Sequence, residues 1–536
     1  MTRRILAVIL AVFMIAAVFT GCGGVKSSKD SVTALFGSEP TTIDPALNQT
    51  LDGGTYISHL FEGLTRNDEG NIVPGVAEKW DISTDGLVYT FHIRGNAKWS
   101  DGQPVKAQDF EYAWKRALDP KTASPYNYIL FYLKNGEKFS SGEAKAEDVG
   151  VKAKDDKTLE VTLEAPTTFF LELCAFMTYM PVRQDIVEKN GDQWTQKAET
   201  YVSNGAFKMK EWKHNDEIVV EKSDNYWDKD KILLKEIHFK LMDDEAAALT
   251  ATEAGEIDVN YAHVPTTEIP RLQKENKIRI ISDLSTYYYD FNTKMKPFDD
   301  ARVRKAFAMA IDRQYIVEKV TQAGQKPATG WVCYGFTNPD TKKDYREEGG
   351  DFLPKSPTAD DLAKAKQLLA DAGYPDGKGL PEIELKYNTS ESHKLIAEAV
   401  QEQLKKNLGV SIKVVNEEWK VFVTDRNEKK FHLARDGWGT DYSDPISFID
   451  TFVTGGGNNN TNWGSEAYDK LVQQAKSTAD QKVRFKAMHD AEKIMMDEMP
   501  ILPVYFYTKT LMENPQLKGN YASPLGFYFL HHAYFQ

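Results

Sequence analysis

Apolar and polar residues alternate along this chain with two distinct periods, and the changes of period mark its elements. Ser31 to Phe36 (SVTALF) has the short apolar run of a strand. A Pro-rich turn, Ser38 to Pro45, and a polar loop, Asn48 to Gly54, follow it. Tyr56 to Leu64 then repeats at helical spacing and stops at Gly63. Leu87 to Ile93 (LVYTFHI) alternates as a half-buried strand, and Trp99 to Gly102 is a turn. Val105, Phe110, Ala113, Trp114 and Leu118 recur every three to four residues, which predicts an amphipathic helix over 104–118. Val149 to Ala153 and Thr158 to Leu163 flank Asp155-Asp156 as a hairpin. The region from about Leu64 to Met180 therefore reads as α+β with the character of an insertion.

From Ser203 the pattern changes. Gly205 to Trp212, Ile218 to Lys222 and Lys235 to Leu241 read as strands. Asp243 to Gly255 reads as a helix ended by its glycine. A strand resumes at Ile257 to Val259, and Lys277 to Ser282 leads into Tyr287-Tyr288-Tyr289. Asp299-Asp300 caps one long amphipathic helix predicted over Ala301 to Val320. Helices over 360–372 and 392–408 alternate with strands over 383–387 and 411–415, which implies an α/β lobe whose sheet is covered on both faces.

One stretch fits neither period. Arg435 to Pro445 (RDGWGTDYSDP) lies between a strand-like FHLA and a helical ISFIDTF, which opens with the helix-start signal Ser443-Asp444-Pro445. Gly437 and Gly439 allow another backbone to come close. Trp438 offers flat contact area at low entropy cost. Arg435 and Asp441 can catch opposite charges, a set that suits a short zwitterionic peptide. Read alone, the stretch fits a polar turn with one buried Trp better.

Length, charge and cysteines narrow the classes. The chain of 536 residues exceeds one core, so two or three domains are expected. Its net charge of −13 and lack of a basic stripe argue against nucleic acid. Arg3 and Arg4 precede a 15-residue apolar run, Ile5 to Phe19, shorter than the ~20 residues that span a bilayer. Thr20-Gly21-Cys22 then resembles a bacterial lipobox, with Phe19 where Leu is usual. Residues 1–21 are thus expected to be a signal peptide, and Cys22 a lipidated first residue on a tether over 22–30. Cys174, in the apolar FFLELCAFM, reads as a buried small hydrophobe. Cys333 lies in a loop-like region, and a disulfide between the two stays open. No zinc spacing, redox CxxC, HExxH, GxSxG or P-loop occurs, and GYPDGK at 373–378 has the wrong spacing for one. No enzyme, cofactor or metal site is expected.

Many local motifs then fall in one order. LFEGL (Leu60–Leu64), PGVAEKW (Pro74–Trp80), AKWSDGQPV (Ala97–Val105) and DFEYAWKRALDP (Asp109–Pro120) are followed by AGEID (Ala254–Asp258), FDDARVRKAFAMAIDR (Phe298–Arg313), YNTSESHK (Tyr387–Lys394) and EWKVF (Glu418–Phe422). Together they resemble the oligopeptide-binding proteins of the peptide/nickel/dipeptide solute-binding family that serves ABC importers. The resemblance implies an α/β, two-lobed periplasmic-binding-protein type fold with mixed sheets, a hinge and an extra α+β domain in the first lobe. By it, lobe I spans 31–61, 184–284 and 509–536, the inserted domain 62–183, and lobe II 285–508. It also implies a monomer that takes short peptides to membrane permease and ATPase subunits of an importer.

The resemblance further implies roles. Asp441 would hold the peptide ammonium, and Arg435 and His393 its carboxylate. The Gly437–Gly439 backbone would pair with the ligand, and Trp438 would line a side-chain pocket. Trp419, Tyr126, Tyr261, Tyr288 and Tyr507 match aromatic cleft positions, and Arg426, Glu245 and Asn459 polar ones. Gln49 stands where an acidic residue is familiar, Thr321 where a Lys is, and Ser285 and Gly439 where a cleft disulfide occurs. A narrower range of peptide lengths is the expectation. Pheromone or murein-peptide receptors would use the same cleft; nickel or haem binding suits the Arg435/Trp438/Asp441 set less.

Overall fold

The computed structural model describes residues 29–536, so the expected signal peptide and Cys22 lie outside the described residues. Eleven strands form one mixed sheet. They are β1 (Ser31–Gly37), β2 (Phe207–Lys213), β3 (Glu217–Lys222), β4 (Glu236–Leu241), β5 (Val259–Tyr261), β6 (Arg279–Phe291), β7 (Lys326–Pro327), β8 (Glu384–Asn388), β9 (Lys413–Glu417), β10 (Leu433–Gly439) and β11 (Ile501–Glu513). Across the sheet the order is β9-β8-β10-β6-β11-β5-β1-β4-β3-β2, with β7 against β11.

The 13-residue strands β6 and β11 run through the whole molecule. They pair antiparallel, and the register slips: Ser282 faces Thr508, whereas Thr286 faces Phe506. Asp283, Leu284 and Ser285 therefore lie opposite Tyr507 alone, a bulge that bends the ladder. Beyond it on one side β11 carries β5 and, through it, β1, β4, β3 and β2. On the other side β6 carries β10, β8 and β9. The result is two lobes that share two strands. The bulge backbone is satisfied from outside the ladder: Leu284 N–H donates to Pro524 O (2.9 Å), and Leu284 O accepts from Thr440 N–H (3.0 Å). Tyr287, Tyr288 and Tyr289 are all buried, as they must be where both sheet faces are covered.

Lobe I carries the α+β insertion. Its antiparallel sheet has the spatial order Ala77–Ile82, Val88–Ile93, Thr158–Thr162, Val151–Ala153. The helix Ala107–Leu118 packs on it. Asp109 fixes that helix start, accepting from Lys106 N–H (2.9 Å) and Trp99 Nε1–H (3.0 Å). Trp114, fully buried, donates from Nε1 to Tyr179 O (2.8 Å).

Three expectations need correction. The first helix among the described residues is Leu51–Leu60, not Tyr56 to Leu64, and begins inside the stretch read as loop. Gly53 and Gly54 are there for close packing: a Cβ on Gly53 would stand 2.1 Å from Asn48 Oδ1, and one on Gly54 3.0 Å from Phe527. The helix expected over 301–320 breaks after Met309. Asp312 starts a new turn by accepting from Tyr315 N–H (2.9 Å), and a π-helical turn, Ile316–Thr321, follows. The apolar period runs on because both pieces face one core. Finally, Arg435 to Gly439 belongs to β10 rather than to a connection.

Cys174 and Cys333 are both buried and free. Among the described residues no helix is long and apolar enough to cross a membrane. The helix break is held by Arg313, fully buried, whose guanidinium donates to the carbonyls of Pro503 (2.8 Å), Ala308 (3.0 Å) and Ile311 (3.1 Å). Arg313→Ala strands these acceptors in the core and is expected to lower stability by about 3 kcal/mol or more, read as a lower midpoint in urea unfolding.

Candidate functional site

A cleft of about 380 Å³ lies between the lobes, within the usual ~300–1,000 Å³ of small-ligand sites. Its floor is the end of β10. Strand β8 pairs with β10 only at Leu433 and Ala434 and then diverges, so the edge from Arg435 to Gly439 has no β8 partner. The other edge of this segment stays paired to β6, Tyr289 with Arg435 through Ser285 with Gly439. An unpaired strand edge inside a cleft is a ready template for an extended backbone. Glycine is needed here for space: a Cβ on Gly437 would come within 2.9 Å of Tyr507 Oη, and one on Gly439 within 2.9 Å of Ser285 Oγ.

Charged groups stand along this edge. Asp441 is buried. Its Oδ1 accepts from Tyr126 Oη (3.2 Å), its N–H donates to Ser447 Oγ (2.9 Å), and Oδ2 has no partner among the described residues. Burial pushes its carboxyl up to about 8, against the hydrogen bonds from Tyr126 and Ser447. Asp441 also borders a smaller cavity of about 150 Å³ that shares Phe176, Met177 and Phe527 with the cleft. Arg435 donates to Tyr507 Oη (2.6 Å) and lies over the Tyr287 ring (5.0 Å), with its Nε free of partners among the described residues. Arg426 donates to Asp436 Oδ1 (2.7 Å), which also caps Gly437 N–H (2.8 Å). Beneath them Asp290 is fully buried, and burial together with Asp436 drives its carboxyl well above the ordinary range.

Of the expected residues, Gln49, Tyr126, Glu245, Tyr261, His393, Trp419, Arg426, Arg435, Gly437, Trp438, Gly439, Asp441 and Tyr507 all line this cleft. Trp438 stacks on Tyr126 (6.3 Å) and donates from Nε1 to Ser447 O (3.1 Å). Two expected residues do not reach it. Tyr288 points to the other side of β6, edge-on to Trp331 (4.9 Å). Asn459 is buried and holds its own loop, donating to Trp463 O (2.9 Å) and accepting from Thr461 Oγ1 (2.7 Å).

Two of the lining residues do not stand as expected. His393 is not a standing cation: burial and the neighbouring Arg435 and His263 hold its imidazole well below its ordinary value. Glu245 spends both oxygens across the lobes, on Ser390 Oγ (2.5 Å) and Ser392 Oγ (2.7 Å), and so ties the lobes together.

Lys509, His263, Thr266, Asn388 and Asp436 also line the cleft and were not singled out from sequence. For Lys509 the signal was available, since Tyr505, Tyr507 and Lys509 alternate onto one face of a strand. Buried polar atoms without a partner among the described residues gather here: Tyr261 Oη, Thr266 Oγ1, Asn388 Oδ1, Trp419 Nε1, Arg426 Nε, Arg435 Nε and Asp441 Oδ2. Such orphans are rare in folded proteins. This mixture of donors and acceptors can meet a ligand that has both.

A family model for bacterial extracellular solute-binding proteins, family 5 Middle, matches residues 71–460. The chain belongs to this family of solute-binding proteins. That membership places it outside the cytoplasm. Among curated relatives of this solute-binding protein, the dipeptide-binding protein DppE of Bacillus subtilis is 43% identical over 492 residues, 91% of this chain and 89% of DppE. Among solved structures, OppA of Haemophilus influenzae in complex with RPPGFSPFR matches with a TM-score of 0.89 at 31% identity, over 95% of this chain and 99% of OppA. The murein tripeptide binding protein MppA of Escherichia coli matches with a TM-score of 0.86 at 36% identity, over 95% of this chain and 98% of MppA. MppA in its unliganded open form, with 95% and 97% covered, reaches only 0.61 at the same identity. The fall reports lobe arrangement, so the lobes of this solute-binding protein stand unlike those of that open form.

Asp441 gives a stability signature. The folded, ligand-free protein keeps a proton on Asp441 between about pH 4 and 8 that the unfolded chain has lost. Its stability therefore falls as pH rises through that window. Asp441→Asn removes this loss and is expected to raise stability at pH 8 by about 2 kcal/mol or more, with the gain shrinking toward pH 4. Thermal unfolding of both proteins at pH 5, 6.5 and 8 measures it.

Proposed function

We propose that this protein captures short peptides in the interlobe cleft and delivers them to an ABC-type importer. The observation that carries the reading is the unpaired β10 edge, Arg435 to Gly439, set between Asp441 and the Arg435 guanidinium. An extended peptide presents backbone donors and acceptors to such an edge whatever its side chains, and a charge of each sign at its two ends. Asp441 takes the ammonium. Arg435 takes a carboxylate, and a carboxylate there also favours protonated His393, which then becomes a second donor. Tyr126 and Trp438 give a side chain a flat wall. The peptide-binding names of DppE and OppA agree with this assignment.

In this proposal lobe I comprises 31–61, 184–284 and 509–536, the inserted domain 62–183, and lobe II 285–508. The bulge at 283–285 opposite Tyr507 is the hinge. The protein works as a monomer without catalysis. Cys22 carries a lipid that holds it to the outer face of the cell membrane, and residues up to Asp30 are its tether. The membrane partners are the permease and ATPase subunits of the importer.

Binding an ammonium requires Asp441 to ionise, so at pH 6.5 each peptide bound releases up to one proton; at pH 9, where Asp441 is already ionised and the free peptide amine is mostly neutral, binding instead takes up to one proton. Affinity is expected to rise with pH toward about 8 and then fall as the peptide amine, with a pKa of about 7.7–8.0, loses its charge. Titration calorimetry in buffers of different ionisation enthalpy reads the proton count. In the same assay Asp441→Ala, or acetylation of the peptide amino group, weakens binding by about 100-fold or more. Equal binding of acetylated and free peptides would remove Asp441 from this role.

A further inference from the structure

The cleft holds a cation that the Arg435 and His393 pair does not account for. Lys509 follows Tyr507 by two residues on β11, so the two side chains share a face and leave the strand about 7 Å apart. Its side chain is only 15% exposed, and Nζ lies 3.3 Å from Asp283 Oδ2. The other Asp283 oxygen accepts from Ser285 Oγ (2.6 Å), which holds the carboxylate in the bulge. Yet Asp283 Oδ2 forms no hydrogen bond among the described residues. The ion contact thus places the ammonium without engaging its protons in a directed bond. The Tyr261 and Tyr507 rings, 5.6 and 5.8 Å from Nζ, flank it with their faces.

His263 completes the group. Ala262 takes a φ of +67°, a turn that brings His263 to the cleft wall directly after β5. Asn260 locks that turn, donating to His263 O (2.9 Å) and accepting from His263 N–H (3.1 Å). Burial, aided by the charge of Lys509, holds the His263 imidazole low against a hydrogen bond to the Phe36 backbone. A largely buried ammonium and an imidazole that can take up a proton line the same cleft, and such a set suits a small oxyanion, which accepts charge-assisted hydrogen bonds from both. Asp243 acts on His263 in the opposite sense, and Asp283 acts on Lys509, so the pair attracts an anion without an excess of fixed positive charge.

We propose that Lys509, together with His263 on the lining of the same cleft, is a second carboxylate-binding station, separate from Arg435. It selects ligands by where along their length they carry a carboxylate. The station rests on the peptide-binding reading above. Two sources can supply its ligand: the carboxyl terminus of a peptide of suitable length, or an Asp or Glu side chain.

Calorimetry on the wild type, Lys509→Gln and Lys509→Arg tests this. The probes are peptides of two to six residues with free amino termini. Each is used as the C-terminal acid, as the amide, and as an amide with one Glu or Gln placed at each internal position. For the length or Glu position that reaches Lys509, Lys509→Gln is expected to weaken binding about tenfold or more. Removing the carboxylate should cost the wild type a similar factor and the variant nothing further. Coupling to the terminal carboxylate identifies one source, and coupling to Glu the other. Lys509→Arg, which keeps the charge, should retain the coupling. If Lys509→Gln acts equally on acid and amide, and on Glu and Gln, at every position, Lys509 serves only to hold Asp283 and the second station is wrong. If the wild type binds none of these peptides, the peptide-binding reading falls first.

Discussion

The hydrogen-bond ladder between β6 and β11 is the constraint on which the rest depends. Both lobes hang from it: β5 is paired to one end of β11 and β10 to the upper half of β6. Because a ladder resists shear, the lobes can change their relation only where it is interrupted. The ladder slips twice, at Asp283 to Ser285 and between Tyr287 and Tyr288, and at the wider slip the Leu284 backbone is bonded to Pro524 and Thr440 rather than to the ladder, which makes it the proposed hinge. The same bulge positions Ser285 against Gly439 and Asp283 against Lys509, so the bend in the sheet and the wall of the cleft are one piece of structure.

The cleft gives up stability for function. A strand edge without its partner, a carboxyl desolvated at Asp441 and several polar atoms without bonds each cost free energy that the surrounding core must offset. Part of this cost falls where the two lobes face each other, and Arg313 and Trp114 show how other fully buried polar groups are satisfied. Glu245, with both oxygens on Ser390 and Ser392, contributes to holding the lobes in the arrangement seen here. Preorganised donors and acceptors lower the entropy that a ligand must lose on binding.

Most elements were legible because burial follows period. The strands β3, β4 and β8, the helix Ala107–Leu118 and the helix Glu391–Leu408 stand close to where alternation or helical spacing puts them. The misreadings share a cause. Gly53 and Gly54 signal a loop locally but are small because Asn48, Met177 and Phe527 press on the helix. Asp312 breaks a helix whose apolar stripe continues unchanged. Arg435 to Gly439 carries too many glycines and charges to read as a strand, since its unpaired edge faces a cleft and not a neighbour.

By itself the sequence determined most of the element types, the acidic character that disfavours nucleic acid, and, through ordered motifs, a resemblance specific enough to nominate many of the residues that line the cleft. Those properties are local or are carried by linear order. Only the tertiary structure decided which residues face the cleft: Tyr288 and Asn459 turn away, while His263 turns in. It alone decided charge state, because desolvation raises Asp441 and lowers His393 according to what is packed around them. Facing and burial depend on contacts between residues far apart in the chain, which no local period records.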